Sequence, residues 1–169
     1  MCDAPARCVA HSLMAQTAAS LPLTQIEILP AGWRDVRGVW QLEKACFGPD
    51  AWGWLDLTSA LLTAHVRLKA QAGPRVAGFI VGERHPVEGC AWIATLGVLP
   101  EFQRRGLGAQ LLAETEARLN MEVIKLTVRE SNTAAIALYE RFGYRHSHPI
   151  ANYYSRGETG LVMQKVRLP

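Results

Sequence analysis

A glycine-containing turn between an apolar segment and an amphipathic segment is the feature that most constrains the fold of this sequence. The turn occupies residues 103–108, QRRGLG, and follows an apolar run from Trp92 to Leu99. After the turn, apolar side chains recur at helical spacing as far as Leu119. The pattern predicts a strand, a tight turn and a helix N-terminus in direct succession, which is a building unit of α/β domains.

The other periodic segments predict further strands and helices around this unit. They are strands at 25–29, 65–71, 75–83, 90–98, 123–128 and 158–166, an extended segment from 144, and helices at 33–47, 55–64, 107–119 and 132–142. In the second helix we expect Leu55, Leu61 and Leu62 to face inward. The order predicts a single α/β domain over residues 24–169, with a mixed twisted sheet of about six or seven strands and helices on both faces.

The N-terminal segment has a different character. Residues 1–23 contain alanines, polar residues and two prolines without clear periodicity. We therefore expect a flexible N-terminal extension outside the domain, and Met14 is an alternative start of the protein.

Length, composition and charge exclude several classes of protein. With 169 residues, 49% of them hydrophobic, the chain can bury the core of one domain. Apolar runs of about 18 residues and a convincing signal peptide are both missing, so we expect no membrane span and a cytoplasmic location. The net charge of +3 suits an anionic cofactor but does not predict nucleic-acid binding. The four cysteines lack paired or metal-like spacing, so no metal is expected. A monomer and a homodimer are both compatible with the sequence.

The turn has the chemistry of a phosphate site. A helix N-terminus presents free backbone N–H groups and the positive end of the helix dipole. Gly106 and Gly108 let the main chain approach a diphosphate closely, and Arg104 and Arg105 add charged donors. A plain helix start with two solvated arginines is the alternative. The turn lacks both the three glycines of a dinucleotide fingerprint and the Gly-Lys-Ser of a nucleotide-binding P-loop.

A second motif follows at residues 132–144, NTAAIALYERFGY. It predicts a helix that carries Tyr139 and can return to the same cleft. A hydroxyl placed in such a cleft can donate a proton to a leaving group. By spacing alone, a core tyrosine on an amphipathic helix is equally compatible.

Together these motifs resemble the GNAT superfamily of acetyl-CoA-dependent N-acetyltransferases over residues 90–164. The Q-x-x-G-x-G motif matches at 103–108, and N-x-x-A-x-x-L-Y-x-x-x-G-[FY] matches at 132–144. The segments VRESN at 128–132 and NYY at 152–154 resemble, more closely, the enzymes that acetylate the N-terminal alanine of a ribosomal protein, the RimI-like branch. The resemblance implies a GNAT fold with a splayed central parallel strand pair, and acetyl-CoA as co-substrate.

The resemblance also implies roles for individual residues. Tyr139 would protonate the departing thiolate, and Tyr153 and Tyr154 would bind the acceptor. The implied cofactor-binding residues are Leu96, Gly97, Val98, Gln103, Arg104, Arg105, Gly106, Leu107, Gly108, Ala109 and Asn132. Ordinary sheet packing is the alternative for the two substrate tyrosines.

One position departs from the RimI-like pattern. The glutamate proposed there as general base is replaced by Thr127, which cannot accept a proton near neutral pH. Other candidate bases are Glu83, Glu130, His146, His148 and Glu158, and the sequence selects none of them. An α-amine is roughly 10% neutral at pH 7 and a lysine amine only about 0.04%, so the loss of a base favours amines of modest pKa.

The predicted function is transfer of an acetyl group from acetyl-CoA to a primary amine by direct attack in a ternary complex. A protein or peptide N-terminal α-amine is the preferred acceptor. A small-molecule amine such as a polyamine, amino acid or antibiotic is the alternative acceptor. The alternative classes are a catalytically inactive acyl-CoA-binding module, for which Thr127 is the motive, and an α/β domain that binds another nucleotide.

Overall fold

The computed structural model describes residues 26–167, so the predictions for residues 1–23 lie outside the described residues. The strands are β1 Ile26–Pro30, β2 Val66–Ala72, β3 Arg75–His85, β4 Cys90–Val98, β5 Val123–Arg129, β6 Arg145–Ile150 and β7 Gly160–Val166. The helices are α1 Val36–Phe47, α2 Trp54–Thr63, α3 Leu107–Leu119 and α4 Thr133–Arg141. Over this range, none of the helices is both long and apolar enough to cross a bilayer.

The strands form one mixed sheet in the order β1-β2-β3-β4-β5-β7-β6. β4 and β5 are parallel, whereas the other neighbouring strands are antiparallel. The prediction of a mixed α/β sheet is confirmed. Predicted and observed strands differ only at their ends, and the extended segment from residue 144 is the edge strand β6.

The central parallel pair, β4 and β5, separates after a short stretch of pairing. Its register ends at Ile93 and Leu126, although β4 continues to Val98 and β5 to Arg129. Ala94 is the extra residue of a β-bulge, since β3 pairs with the residues on either side of it. A bulge bends its strand and increases the local twist. The two carboxyl-terminal strand ends therefore diverge, and the predicted splayed pair is present.

Helices cover both faces of the sheet. α3 packs so closely on one face that a Cβ atom built on Gly78 would lie 2.9 Å from Leu111 Cδ1. α4 lies beside α3 on that face, because a Cβ on Gly108 would lie 3.6 Å from Leu138 Cδ2. α1 packs on β3 and β4 from the opposite face, and α2 packs against α1. The divergent strand ends are thus flanked by α3 and α4 on one side and by α1 on the other.

The predicted inward face of α2 was wrong for two of its three residues. Leu55 and Leu62 are 82% and 60% exposed, whereas Leu57, Ala60 and Leu61 are buried. α2 carries leucines on two sides, so helical spacing is satisfied by either stripe. Packing against α1 selects the stripe that begins at Leu57.

Gly97 provides a test of how tightly α1 sits on the sheet. A Cβ atom there would lie 2.8 Å from Leu42 Cδ2 and 3.2 Å from Phe47 Cε2, both on α1. Gly97→Ala should destabilise the protein by about 1–3 kcal/mol, because this contact forces α1 to shift. Gly32→Ala is the matched control, since a Cβ at Gly32 meets nothing within 4 Å. Equal chemical-denaturation midpoints for the two variants would contradict this account of the packing.

Candidate active site

The glycine turn places an open helix N-terminus beside the divergent strands. Gly106 is the N-cap of α3 and adopts φ +81°, a left-handed conformation that favours glycine. Gln110 donates its backbone N–H to the Gly106 carbonyl at 3.0 Å. The preceding amides, at residues 107–109, have no intrahelical acceptor. Gly106 carries no side chain that could cap them, so these N–H groups are free to bind an anion.

Arg104 gives the turn a second unusual backbone conformation. Its φ of +58° is left-handed, although it is not a glycine. Such conformations cost about 1–3 kcal/mol and persist where the surrounding structure requires them, often at ligand sites. The Gln103 side chain connects the same turn to the end of β4, because its Nε2 donates a hydrogen bond to the Val98 carbonyl at 2.9 Å.

The end of β4 presents main-chain groups to the gap. Leu99 donates its N–H to Ala77 on the β3 side at 2.9 Å. Because alternate residues of an antiparallel strand face opposite neighbours, the N–H groups of Leu96 and Val98 point away from β3. β5 no longer pairs with β4 at that level. The Val98 carbonyl already accepts from Gln103 and from the Cys46 thiol, the latter at 3.4 Å.

These groups border a cavity of about 410 Å³ on the α3 and α4 side of the gap. Its lining includes most of the predicted cofactor-binding residues and Tyr139: Leu96, Val98, Gln103, Arg104, Gly106, Leu107, Gly108, Ala109, Asn132 and Tyr139. Two predicted residues are not part of the lining. Gly97 faces α1, and the Arg105 guanidinium lies 5.9 Å from the centroid of the Phe102 ring. Arg141 also lines this cavity, and the sequence analysis did not select it.

Asn132 is the N-cap of α4. Its Oδ1 accepts the backbone N–H of Ala135 at 3.1 Å, which satisfies one of the free amides at the start of that helix. Asn132 also belongs to the lining of the cavity. Asn132 therefore has a structural role whether or not it contacts a ligand.

Tyr139 reaches the cavity from α4 while being 7% exposed. Its ring packs edge-on against Tyr144, with ring centroids 5.8 Å apart. Burial, and secondarily the nearby Tyr154, raise the pKa of the Tyr139 hydroxyl above its usual value. A tyrosine hydroxyl is protonated at neutral pH even at its usual pKa, and burial keeps it so.

A second cavity, of about 320 Å³, adjoins the gap next to the loop after α1. Aromatic side chains form much of its wall, and the lining residues are Asp50, Trp52, Trp92, Ile93, Ala94, Thr127, Tyr153 and Tyr154. Tyr153 and Tyr154 are the two residues that were expected from the sequence to bind the acceptor. Tyr154 donates its hydroxyl to the Thr127 carbonyl at 3.0 Å, which fixes the loop before β7 against β5. Burial, reinforced by Tyr153, raises the pKa of Tyr154 to about 12.

One arginine joins the three chain segments around the second cavity. Arg129, at the end of β5, forms ion pairs with Asp50 and Glu158, and its guanidinium lies 4.4 Å from the centroid of the Tyr154 ring. Asp50 also accepts the backbone N–H and the hydroxyl of Ser155, at 2.8 and 2.9 Å. Asp50 and Arg129 were not predicted from the sequence, because the elements that bring them together are distant in the chain.

The candidate bases from the sequence are not among the residues that line the second cavity. Glu158 is held by Ser131 and Arg129, which lower its pKa and make it a poor proton acceptor. His146 lies 3.6 Å from Glu140, and His148 contacts Ser147, both on the exposed edge strand β6.

Glu43 is a buried carboxyl group directly behind the second cavity, and the sequence analysis missed it. It is 1% exposed on α1. One oxygen accepts the Thr95 hydroxyl at 2.8 Å, and the other accepts the Trp52 backbone N–H at 3.4 Å. Desolvation raises the Glu43 pKa, and the two hydrogen bonds oppose that shift. Glu43 thus ties the cavity wall at Trp52 to the β4 bulge.

The sequence matches the acetyltransferase (GNAT) family over residues 33–144, and the chain belongs to that family. The family resemblance stated from the motifs is confirmed. The protein is an acetyl-CoA-dependent N-acetyltransferase.

Among curated relatives, several are protein N-terminal acetyltransferases. The chain is 36% identical over 126 residues to the [ribosomal protein bS18]-alanine N-acetyltransferase of Salmonella typhimurium, covering 71% of this chain and 81% of the relative. It is 35% identical over 95 residues to N-alpha-acetyltransferase 20 of Dictyostelium discoideum, covering 52% and 54%. The chain thus spans only about half the length of this second relative.

Solved structures share the fold. The ribosomal-protein-S18-alanine N-acetyltransferase of Escherichia coli superposes with a TM-score of 0.75 at 24% identity, covering 85% of this chain and 96% of that one. Arabidopsis thaliana NAA60, solved in complex with acetyl-CoA, gives a TM-score of 0.73 at 16% identity, with 83% and 99% covered.

The raised pKa of Glu43 predicts a pH-dependent contribution to stability. A carboxyl whose folded-state pKa lies above its usual value of 4.5 stabilises the fold below that value, and the contribution is lost as pH rises through the higher folded-state pKa. Glu43→Gln lacks this loss, so its Tm should rise relative to that of the wild type as pH is raised from 4 to 8.

Thermal melts at several pH values measure the effect. Glu27→Gln, on an exposed position of β1, is the control. If the Tm difference between Glu43→Gln and wild type is the same at every pH, Glu43 is not a carboxyl with a raised pKa.

Proposed function

We propose that this enzyme acetylates the N-terminal α-amine of a protein or peptide, and that the amine reacts in its neutral form. The proposal is carried by the second cavity, which has aromatic walls and lies where the strands diverge. The carboxylate in its lining, Asp50, forms an ion pair with Arg129 and accepts hydrogen bonds from Ser155. The relatives named for N-terminal acetylation of proteins support the choice of acceptor.

The first cavity, the one of about 410 Å³ that is lined by the glycine turn and α4, is called the cofactor cavity below. It has the features that acetyl-CoA requires. Free amides at residues 107–109 and the Arg104 guanidinium fit the diphosphate. The outward-facing N–H groups of Leu96 and Val98 would hydrogen-bond the pantetheine arm, and one of them would polarise the thioester carbonyl. The bound co-substrate supplies the acetyl thioester.

Tyr139 would act as the proton donor. It lines the cofactor cavity, is close to Tyr154 on the acceptor side, and is protonated at neutral pH, as an ordinary tyrosine also is. In the transfer, a nitrogen–carbon bond forms and the carbon–sulfur bond breaks. Tyr139 would give its proton to the departing sulfur, and the proton of the amine would leave through water.

A covalent acetyl-enzyme step is not needed in this arrangement. Cys46 is the cysteine near the end of β4, and its thiol donates to the Val98 carbonyl. Burial, together with the nearby Glu43, raises the pKa of Cys46 to about 11, so the thiol is protonated and weakly nucleophilic. Direct attack by the amine is therefore favoured.

Tyr139→Phe tests the proton donor. Removing the hydroxyl should lower kcat by about 10²–10⁴-fold, because a positioned acid contributes on this scale. Acetyl-CoA binding, measured by calorimetry, should be nearly unchanged. Tyr144→Phe is the matched control, since it removes the same group from the neighbouring ring outside the cofactor cavity. Wild-type turnover in Tyr139→Phe would remove it from this role.

A peptide panel tests the acceptor and the absence of an enzymic base. We expect the highest kcat/KM for a peptide with a free N-terminus, and lower values for the same peptide blocked at its N-terminus with one internal lysine, and for a polyamine. Since an α-amine has a pKa of about 7.7–8.0, kcat/KM should rise about tenfold per pH unit up to that range and then level off.

The controls separate the acceptor from the base. Preference for the polyamine over every peptide would contradict the proposed acceptor. A plateau of kcat/KM that begins well below pH 7 for the free peptide would show that the enzyme provides a base. If the protein binds acetyl-CoA but releases no CoA with any amine, it is a catalytically inactive acyl-CoA-binding module.

A further inference from the structure

A third cavity, of about 370 Å³, adjoins the second cavity on the side of α2. Its lining residues are Trp52, Asp56, Ser59, Ala60, Thr63 and Glu83. Trp52 also lines the second cavity, so the two cavities meet at its side chain. The sheet joins them at another point, because Glu83 on β3 is directly paired with Trp92 on β4, which lines the second cavity. Side chains of directly paired strand residues lie next to each other on one face. A ligand in the second cavity can therefore extend into the third.

α2 forms one wall of the third cavity with a mostly polar face. Asp56, Ser59, Ala60 and Thr63 recur at intervals of three and four residues, which places them on one side of the helix. The Thr63 hydroxyl donates to the Ser59 carbonyl at 2.9 Å and is thus used within the helix. Asp56 is the charged group that α2 presents to the cavity.

The third cavity carries negative charge that is available to a ligand. Among the described residues, its lining includes two carboxylates and no basic side chain. The side chain of Asp56 has no ion pair or hydrogen bond in the part of the chain that the structure describes. Glu83 faces His85, with 3.8 Å between Oε2 and Nε2, which is longer than a hydrogen bond. The carboxylate of the second cavity differs, because Asp50 is already paired with Arg129.

An aromatic wall beside two carboxylates is suited to a guanidinium group. A guanidinium is planar, forms paired hydrogen bonds with carboxylates and stacks on aromatic rings such as that of Trp52. An extended peptide advances about 3.3 Å per residue, and neighbouring strands lie about 4.8 Å apart. A side chain a few residues after the N-terminus of an acceptor peptide therefore has the reach to pass from the second cavity to the third.

We infer that the third cavity binds an arginine side chain of the acceptor, located shortly after the N-terminal residue that is acetylated. Glu83 and Asp56 are then residues that determine the specificity of the enzyme for its acceptor. This inference rests on the proposed function, because the N-terminus of the acceptor has to occupy the second cavity. It narrows the acceptor from any free protein N-terminus to one that is followed by a basic residue.

The test compares peptides that differ by a single charge. Each peptide has a free N-terminus and carries either arginine or its neutral analogue citrulline at the second, third or fourth position. For the wild type, we expect kcat/KM to be about three- to tenfold higher with arginine at one of these positions, the scale of ion pairs with partly exposed carboxylates. The difference should lie in KM, with equal kcat, and should shrink at about 1 M salt, which screens exposed charges.

Glu83→Gln assigns the preference to the third cavity. Its arginine-to-citrulline ratio should fall to about twofold or less, with kcat/KM for the citrulline peptide unchanged. Glu83 is preferred over Asp56 for this variant, because Asp56 lies in the first turn of α2, where a carboxylate also stabilises the helix. Glu27→Gln is the matched control. It removes the same charge from an exposed position on β1 outside both cavities, and it should keep the wild-type ratio.

The other outcomes overturn the inference in separable ways. Equal kcat/KM for arginine and citrulline peptides at all three positions would overturn it, while the proposed function stands as long as both peptides are acetylated. An equal loss of the ratio in Glu83→Gln and Glu27→Gln would assign the preference to overall charge. A lower kcat of Glu83→Gln on both peptides would make Glu83 a base instead. If neither peptide is acetylated, the proposed function fails together with the inference.

Discussion

The separation of β4 from β5 is the constraint on which the site depends. If the two strands stayed paired beyond Ile93 and Leu126, the N–H groups of Leu96 and Val98 would be used within the sheet. Separation leaves backbone donors without partners in the middle of a folded protein, which is costly unless a ligand or water satisfies them. The bulge at Ala94 makes this geometry possible, and α1 and α3 support the strand from opposite faces.

Much of the fold could be predicted from the sequence because its signals are local. Alternating apolar residues, helical spacing and a proline or glycine at element ends gave the strands and helices in the correct order. α2 shows the limit of such signals. Its leucines satisfy two helical stripes, and the buried stripe depends on α1, whose position is a tertiary property. The bulge at Ala94 is not marked by a local sequence signal.

The candidate site was predictable where it is contiguous in sequence. The turn at 103–108 and the helix with Tyr139 each lie within one motif, and the structure brings most of their predicted residues to one cavity. Asp50, Arg129 and Glu43 were missed because each acquires its role from partners many residues away. Arg141 stood inside a recognised motif but at a position that the motif leaves unspecified. Burial and partners, which the sequence does not state, separate such residues from ordinary surface charges.

The position of β7 between β5 and β6 has a consequence for biosynthesis. During synthesis, residues 160–166 leave the ribosome after β1 to β5 and α3, and until then the outer edge of β5 lacks its partner strand. An unpaired edge is a site of aberrant association. The segment that carries Tyr154 and Glu158 also emerges late. The contacts of Arg129 with these two residues therefore form late as well. The lining of the first cavity ends at Arg141 and that of the second at Tyr154, so synthesis completes the second cavity after the first.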